Sequence, residues 1–169
     1  MVRRFIVQAV AWGFVLALAA ASRASVSEDA AEILTTANVT GGFVVHLGVG
    51  DGELTAALQT DSSIQVHGLA FDATMLDTAR KAIHAAGKYG DVSVVQFAGQ
   101  ELPYIDNLVN LIVVEDQGAV TQEEILRVLV PNGVALKKDA SGHWTKTVKP
   151  RPTNIDDWSH YLHDASGNA

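Results

Sequence analysis

Three glycines at alternate positions, Gly48, Gly50 and Gly52, follow the apolar, largely β-branched run Phe43-Val44-Val45-His46-Leu47. A glycine loop between a strand and a helix lets backbone N–H groups approach a ligand closely, near the positive end of a helix dipole. A tight turn alone does not explain three glycines, because each costs conformational entropy on folding. The pattern therefore points to a ligand loop, with Asp51 inside it. Its spacing is G-x-G-x-G, and Glu53 stands where a dinucleotide fingerprint places its third glycine. That argues against NAD.

Other chemistry-bearing residues are fewer. Glu115 and Asp116 end the apolar run Leu108 to Val114. Carboxylates there either orient a nucleophile or bind a ligand, or they are ordinary solvated loop acids. His46 lies inside its apolar run and reads as a satisfied interior histidine. His160, His163 and Asp164 have types found in metal sites, but no further ligand is positioned, so no metal is assigned. No residue stands out as a general base, and catalytic residues stay unassigned. The chain has no Cys, which excludes disulfides and thiolate metal sites.

These residues need elements to position them. Residues 27–38 carry a rough apolar stripe and read as a short helix. Strands are expected at Phe43–Leu47, Ile64–Phe71, Val92–Phe97 and Leu108–Val114, with a fifth beginning at Val134-Ala135-Leu136. Leu54, Ala57 and Leu58 open a helix behind the glycine loop. Met75, Leu76, Ala79, Ala82, Ile83 and Ala86 mark one face of a helix over residues 74–86, stopped at Gly87. A further helix over Glu123–Leu129 ends before Pro131. Strands alternating with helices imply a mostly parallel α/β sheet of about five strands, with ligands at the carboxyl ends.

The two ends differ from this middle. Arg3 and Arg4, the apolar stretch Phe5–Ala21 and the small-residue site Ser22-Arg23-Ala24 make a secretory signal, so residues 1–24 are expected to be removed on export. No membrane span is expected after cleavage. Removal takes three arginines and no acid, so the formal charge of −7 becomes −10. Such an acidic domain is not expected to bind nucleic acid through a broad electrostatic surface. Beyond Lys138, the residues Lys146, Lys149, Arg151, Pro150 and Pro152 read as a basic, extended linker. The expected organisation is a signal at 1–24, an α/β domain at 25–138, and a linker with an aromatic tail at 139–169.

The glycine loop resembles motif I of class I S-adenosylmethionine-dependent methyltransferases. The resemblance continues through Gly68–Leu76, Phe97–Tyr104, Asp106–Ile112 and Ile125–Val134, in order and at fitting spacing. It implies a Rossmann-like fold, and S-adenosylmethionine as the small-molecule ligand. It also implies a site drawn from His46, Gly48, Gly50, Asp51, Gly52, Ala70, Phe71, Asp72, Gly99, Gln100, Glu101 and Glu115. Two of these positions depart from the family. His46 and Ala70 stand where members usually carry acids, the second of which holds the ribose hydroxyls. Asp72 either takes over that task or caps the following helix. The family's last two strands are expected to be missing. The segment Ile155–Asp164 is similar to the join that precedes a pyrroloquinoline-quinone-type β-propeller in exported bacterial proteins. Together these imply an exported, periplasmic or extracellular methyltransferase-like module that has lost activity and belongs to a larger quinoprotein-like protein, with an active methyltransferase as the alternative.

Overall fold

The computed structural model describes residues 25–153. The signal-like segment 1–24 and the aromatic tail from 154 onward lie outside the described residues, and the readings made of them rest on sequence.

Helix α1 spans residues 25–37. Strand β1 (Gly42–Leu47) is followed by α2 (Glu53–Leu58), β2 (Ile64–Ala70), α3 (Ala73–Ala85) and β3 (Val92–Gln96). Then come β4 (Val109–Val114), α4 (Gln122–Val128), β5 (Leu129–Lys138) and β6 (Trp144–Val148). The strands form one sheet in the order β3-β2-β1-β4-β5-β6, parallel except for β6. Sequence order reverses between β1 and β4, so the carboxyl end of β1 is the switch point where α/β sheets hold ligands.

Side chains alternate across each strand, and two cores result. On one face Ile33, Leu58, Val66, Ile83, Leu111, Val113 and Leu136 pack under α1, α2 and α3. On the other, Leu47, Leu69, Ile112, Ile125 and Leu129 pack under α4. Each fully buried Leu or Ile contributes about 1.5–3 kcal/mol. Helix α3 starts at an Asp72 cap, whose carboxylate accepts from Thr74 N–H. It ends at Gly87, whose φ of 70° suits glycine. There Lys88 N–H bonds Ile83 O and Gly87 N–H bonds His84 O.

The second face has a single short helix. The connector from β3 to β4 is not helical and is clamped from α4 instead. Arg127 makes a bidentate pair with Glu124, at 2.7 Å for both bonds, and donates to the carbonyls of Leu102 and Tyr104. Glu124 in turn accepts from Leu102 N–H at 2.6 Å. Tyr104 Oη lies 2.7 Å from His67 Nδ1 on β2.

Two expectations are corrected at the end of the domain. The helix stopping at Pro131 already ends at Val128, because Leu129 leaves in an extended conformation to pair with Val109. Pro131 sits in the irregular stretch of β5, where the register shifts and a missing N–H does no harm. The stretch read as a linker contains a sixth strand, antiparallel to β5, so the sheet has six strands and not five. The crowded lysines are anchors. Lys146 Nζ donates to Thr36 O at the end of α1. Lys149 Nζ donates to Asn107 Oδ1, Arg127 O and Leu129 O, covering the carbonyl end of α4. Lys137 reaches Gln117 and Lys138 reaches Glu115.

A strand and a linker differ in hydrogen exchange. The β6 amides that pair with β5 are expected to exchange at least tenfold more slowly than free peptide. Lys149→Met is expected to lower stability by about 1–3 kcal/mol in urea unfolding. Free-peptide exchange across 144–148 would return this stretch to a linker.

Candidate functional site

The glycine loop follows β1 and is bonded to the end of β2. Gly48 and Val49 both donate their N–H groups to Leu69 O, at 3.0 and 3.1 Å. On the other side, Glu115 and Asp116 N–H approach Leu47 O at 3.1 and 3.4 Å. The loop is thus held between the ends of β2 and β4, over the end of β1.

The three glycines have different reasons to be glycine. Gly48 has φ 84°, and a Cβ on it would lie 2.5 Å from Asp116 N. Gly52 has φ 86°, and its Cβ would lie 2.6 Å from Ala79 Cα on α3. Both are required by backbone conformation and close packing. Gly50 is not in the left-handed region, and a Cβ there would meet nothing within 4 Å. The fold does not need glycine at 50, whereas a ligand pressed against the loop would. Among the described residues, the amides of Gly50, Asp51 and Gly52 donate to no protein acceptor. The six-residue α2 behind them is too short for a substantial helix dipole, so the loop amides carry the polarity.

The acids around the opening are turned onto their own chain. Asp51 Oδ1 accepts from Glu53 N–H at 3.0 Å, and Asp116 Oδ1 accepts from Gly118 N–H at 2.9 Å. Asp72 takes the capping alternative, and its bond from Thr74 N–H holds its carboxyl below the usual range. Ala70 is fully buried. Phe71 follows it and meets Phe97 with ring centroids 6.1 Å apart. Gly99 packs against Phe97, while Gln100 and Glu101 are exposed in the connector.

His46 is interior, as its strand position implies, and it anchors a polar chain across the sheet. Its Nδ1 lies 2.8 Å from Thr55 Oγ1 on α2. Its Nε2 stands 3.3 Å from Glu115 Oε2, without the alignment of a hydrogen bond. Glu115 Oε1 accepts from Lys138 Nζ at 2.9 Å, and that ammonium lies 5.3 Å from the centre of the Trp144 ring. The His46 ring and the Lys138 ammonium hold the Glu115 carboxyl down at about 2, against the burial that pushes it up. The arrangement links β1, β4, β5 and β6, and Glu115 serves as a strut more than as a free base.

The structure therefore brings together Gly48–Gly52, Ala70, Phe71, Asp72 and Glu115 at one edge. Sequence reasoning missed Thr55, Lys138 and Gly118. Lys138 was findable, since it ends β5 on the same alternating face as Leu136. Among the described residues no cluster of three metal-ligating side chains occurs, and no helix is long and apolar enough to cross a membrane. A cavity of about 300 Å³ walled by Ala56, Ala57, Ala82, Ala85 and Lys88 lies among α1, α2 and α3; none of the loop glycines lines it.

Residues 44–133 match the family model of a methyltransferase domain. Among solved structures, the chain is similar to a provisionally assigned S-adenosyl-L-methionine-dependent methyltransferase from Methanococcus maripaludis. The identity is 27% and the TM-score 0.61, covering 68% of this chain and 55% of that one. It is also similar in fold to a SAM-dependent methyltransferase from Aquifex aeolicus, with 19% identity and a TM-score of 0.56, covering 64% and 62% of the two chains. A third is geranyl diphosphate C-methyltransferase from Streptomyces coelicolor A3(2), determined with Mg2+, geranyl diphosphate and S-adenosyl-L-homocysteine. There the identity is 15% and the TM-score 0.58, covering 66% and 44%. The chain spans roughly half the length of the solved structures it matches. No curated protein matches it in sequence.

The glycines separate fold from ligand. Gly48→Ala and Gly52→Ala are expected to cost about 1–3 kcal/mol from backbone strain alone. Gly50→Ala is expected to stay within about 0.5 kcal/mol of the parent in urea unfolding. Glu115 gives a pH signature. Its folded pKa lies below its ordinary 4.5, so its stabilisation is present above about pH 5 and lost as pH falls towards 2. Glu115→Gln is expected to remove about 1–3 kcal/mol at pH 7 and to flatten the acid limb of the stability curve. An unchanged acid limb would show that the strut contributes nothing.

Proposed function

The chain belongs to the methyltransferase domain family, and we propose that it is an S-adenosylmethionine-type binding module that has lost methyl transfer. The observation that carries the binding half is Gly50. The fold leaves open space there and needs no glycine, while the loop amides beside it are unpaired. The amides of Gly50, Asp51 and Gly52 would hold the ligand, with Phe71 and Phe97 beside it. When bound, S-adenosylmethionine supplies an electrophilic methyl group. The side chains around the opening supply little to use it. Asp51, Asp72 and Asp116 are engaged in turns and caps, and Glu115 is paired with Lys138. Ala70 offers no side-chain acceptor at the end of β2.

The wider setting follows from the sequence. The signal-like residues 1–24 support export, where a cytoplasmic methyl donor is out of reach. The tail Ile155–Asp164 supports a place at the front of a larger propeller-bearing protein. A second reading, an active methyltransferase on a small-molecule or protein substrate, is favoured by the intact opening at Gly50.

Calorimetric titration of S-adenosylhomocysteine into the purified chain tests the binding half. Saturation at about 100 times Kd is expected to stabilise the fold by about 2.7 kcal/mol. Gly50→Val is expected to abolish the heat while leaving the melting temperature of the free protein unchanged. Absence of heat in the parent would reduce the loop to a scaffold feature, and transfer of labelled methyl to any acceptor would establish the second reading instead.

A further inference from the structure

An open sheet has two edges, and each presents a row of unpaired backbone groups to any strand that fits. The two edges differ in this protein. On β3 the outward residues are Val92, Val94 and Gln96, because Asp91 O and Phe97 N–H are bonded to β2. Val92 N–H is already bonded to Lys88 O, and Arg80 reaches Val94 O at 3.4 Å. That edge is partly closed by its own chain.

On β6 the bonds at the two ends of the ladder set which groups face inward. Asp139 N–H bonds His143 O, and Lys149 N–H bonds Gly133 O. The odd-numbered residues of β6 therefore bond to β5, and Trp144, Lys146 and Val148 turn their N–H and C=O groups away from it. Among the described residues these outward groups have no backbone partner. The strand has no proline and no register shift. Its lysine, a residue type that commonly guards an edge, is turned onto Thr36 O. The corner is also unbalanced in charge. Of Lys137, Lys138, Lys146 and Lys149, only Lys138 meets a carboxylate among the described residues. The other three bond to neutral oxygens.

The chain beyond the described residues carries what this edge lacks. After β6 it passes Pro150 and Pro152 and enters a turn at Thr153. The next residues include Ile155-Asp156-Asp157-Trp158-Ser159, without proline or glycine. We propose that this segment adds to the open edge as a strand antiparallel to β6 and extends the sheet by one strand. With residues 149–154 as the connection, Ile155 stands opposite Val148 and Asp157 opposite Lys146. An apolar pair and an opposite-charge pair are both favourable across strands. Asp156 and Asp157 bring negative charge to the basic corner, and charge on the new outer edge discourages a further strand. The short connection gives this segment a high effective concentration at the edge, which favours it over a separate partner. The inference does not depend on the glycine loop holding a ligand.

Amide hydrogen exchange of the full chain, resolved residue by residue, tests it. Trp144, Lys146 and Val148 are expected to exchange about tenfold or more slower than free peptide, alongside Thr145 and Thr147, which β5 protects in any case. Ile155→Pro removes an N–H that faces β6. It is expected to return residues 144, 146 and 148 to within about threefold of free-peptide rates while Thr145 and Thr147 stay protected. Asp157→Lys sets like charges opposite each other and is expected to speed the same three amides by about threefold or more. Free-peptide exchange at 144, 146 and 148 in the parent would overturn the proposal, as would protection that survives both substitutions. Protection that grows with protein concentration would assign the edge to a second copy of the chain and overturn it as well.

Discussion

The backbone of Asp116 occupies the place where a side chain on residue 48 would be. Everything at the carboxyl edge depends on that approach. It lets the turn after β4 close onto the turn after β1, with both turns bonded to strand carbonyls at Leu47 and Leu69. It also sets where Gly118 stands, and so where the Phe71 ring comes to rest. A Cβ at 48 would push the two turns apart, and the opening would lose its shape even if every other residue were kept. In open parallel sheets ligands bind in the crevice at the carboxyl ends of the strands, where the strand order reverses. Glycine at 48 lets the turns after β1 and β4 meet at that point.

Around that edge, charge is consumed by the protein itself. Three aspartates satisfy backbone amides two residues on, the usual use of Asp in turns and caps. Glu115 is paired, and the lysines of the last strand pair are tied to helix ends or to polar side chains. At this edge Asp51, Asp72 and Asp116 each already accept a backbone bond and Glu115 is paired with Lys138. That balance supports the proposed binding role over catalysis.

The two faces of the sheet are unequal. One is covered by three helices; the other by a seven-residue helix and a connector clamped by Glu124 and Arg127. The connector carries Gly99, Gln100 and Glu101, so the α4 clamp and the Tyr104–His67 contact also fix the outer side of the opening. A short helix suffices because its Arg127 guanidinium presents several donors in a fixed fork and can hold two carbonyls and two carboxylates at once.

The sequence by itself determined the order of elements as far as β5 and the glycine loop, which follow from local sterics and from periods of 2 and 3.6 written along the chain. The resemblance to the family marked His46 and Ala70 as positions without its usual acids. The sequence left Asp72 and Glu115 open between ligand-binding and structural roles, and residues 144–148 read as linker. A short polar strand such as Trp144–Val148 has weak pattern of its own and forms because β5 offers an edge. Leu129 likewise left its helix for a ladder with Val109, twenty residues earlier. Only the tertiary structure decided that Phe71 reaches Gly118, that Lys138 answers Glu115, and that Gly50, unlike its two neighbours, faces open space. These are contacts between residues far apart in sequence, and neither propensity nor spacing encodes a distance across a sheet.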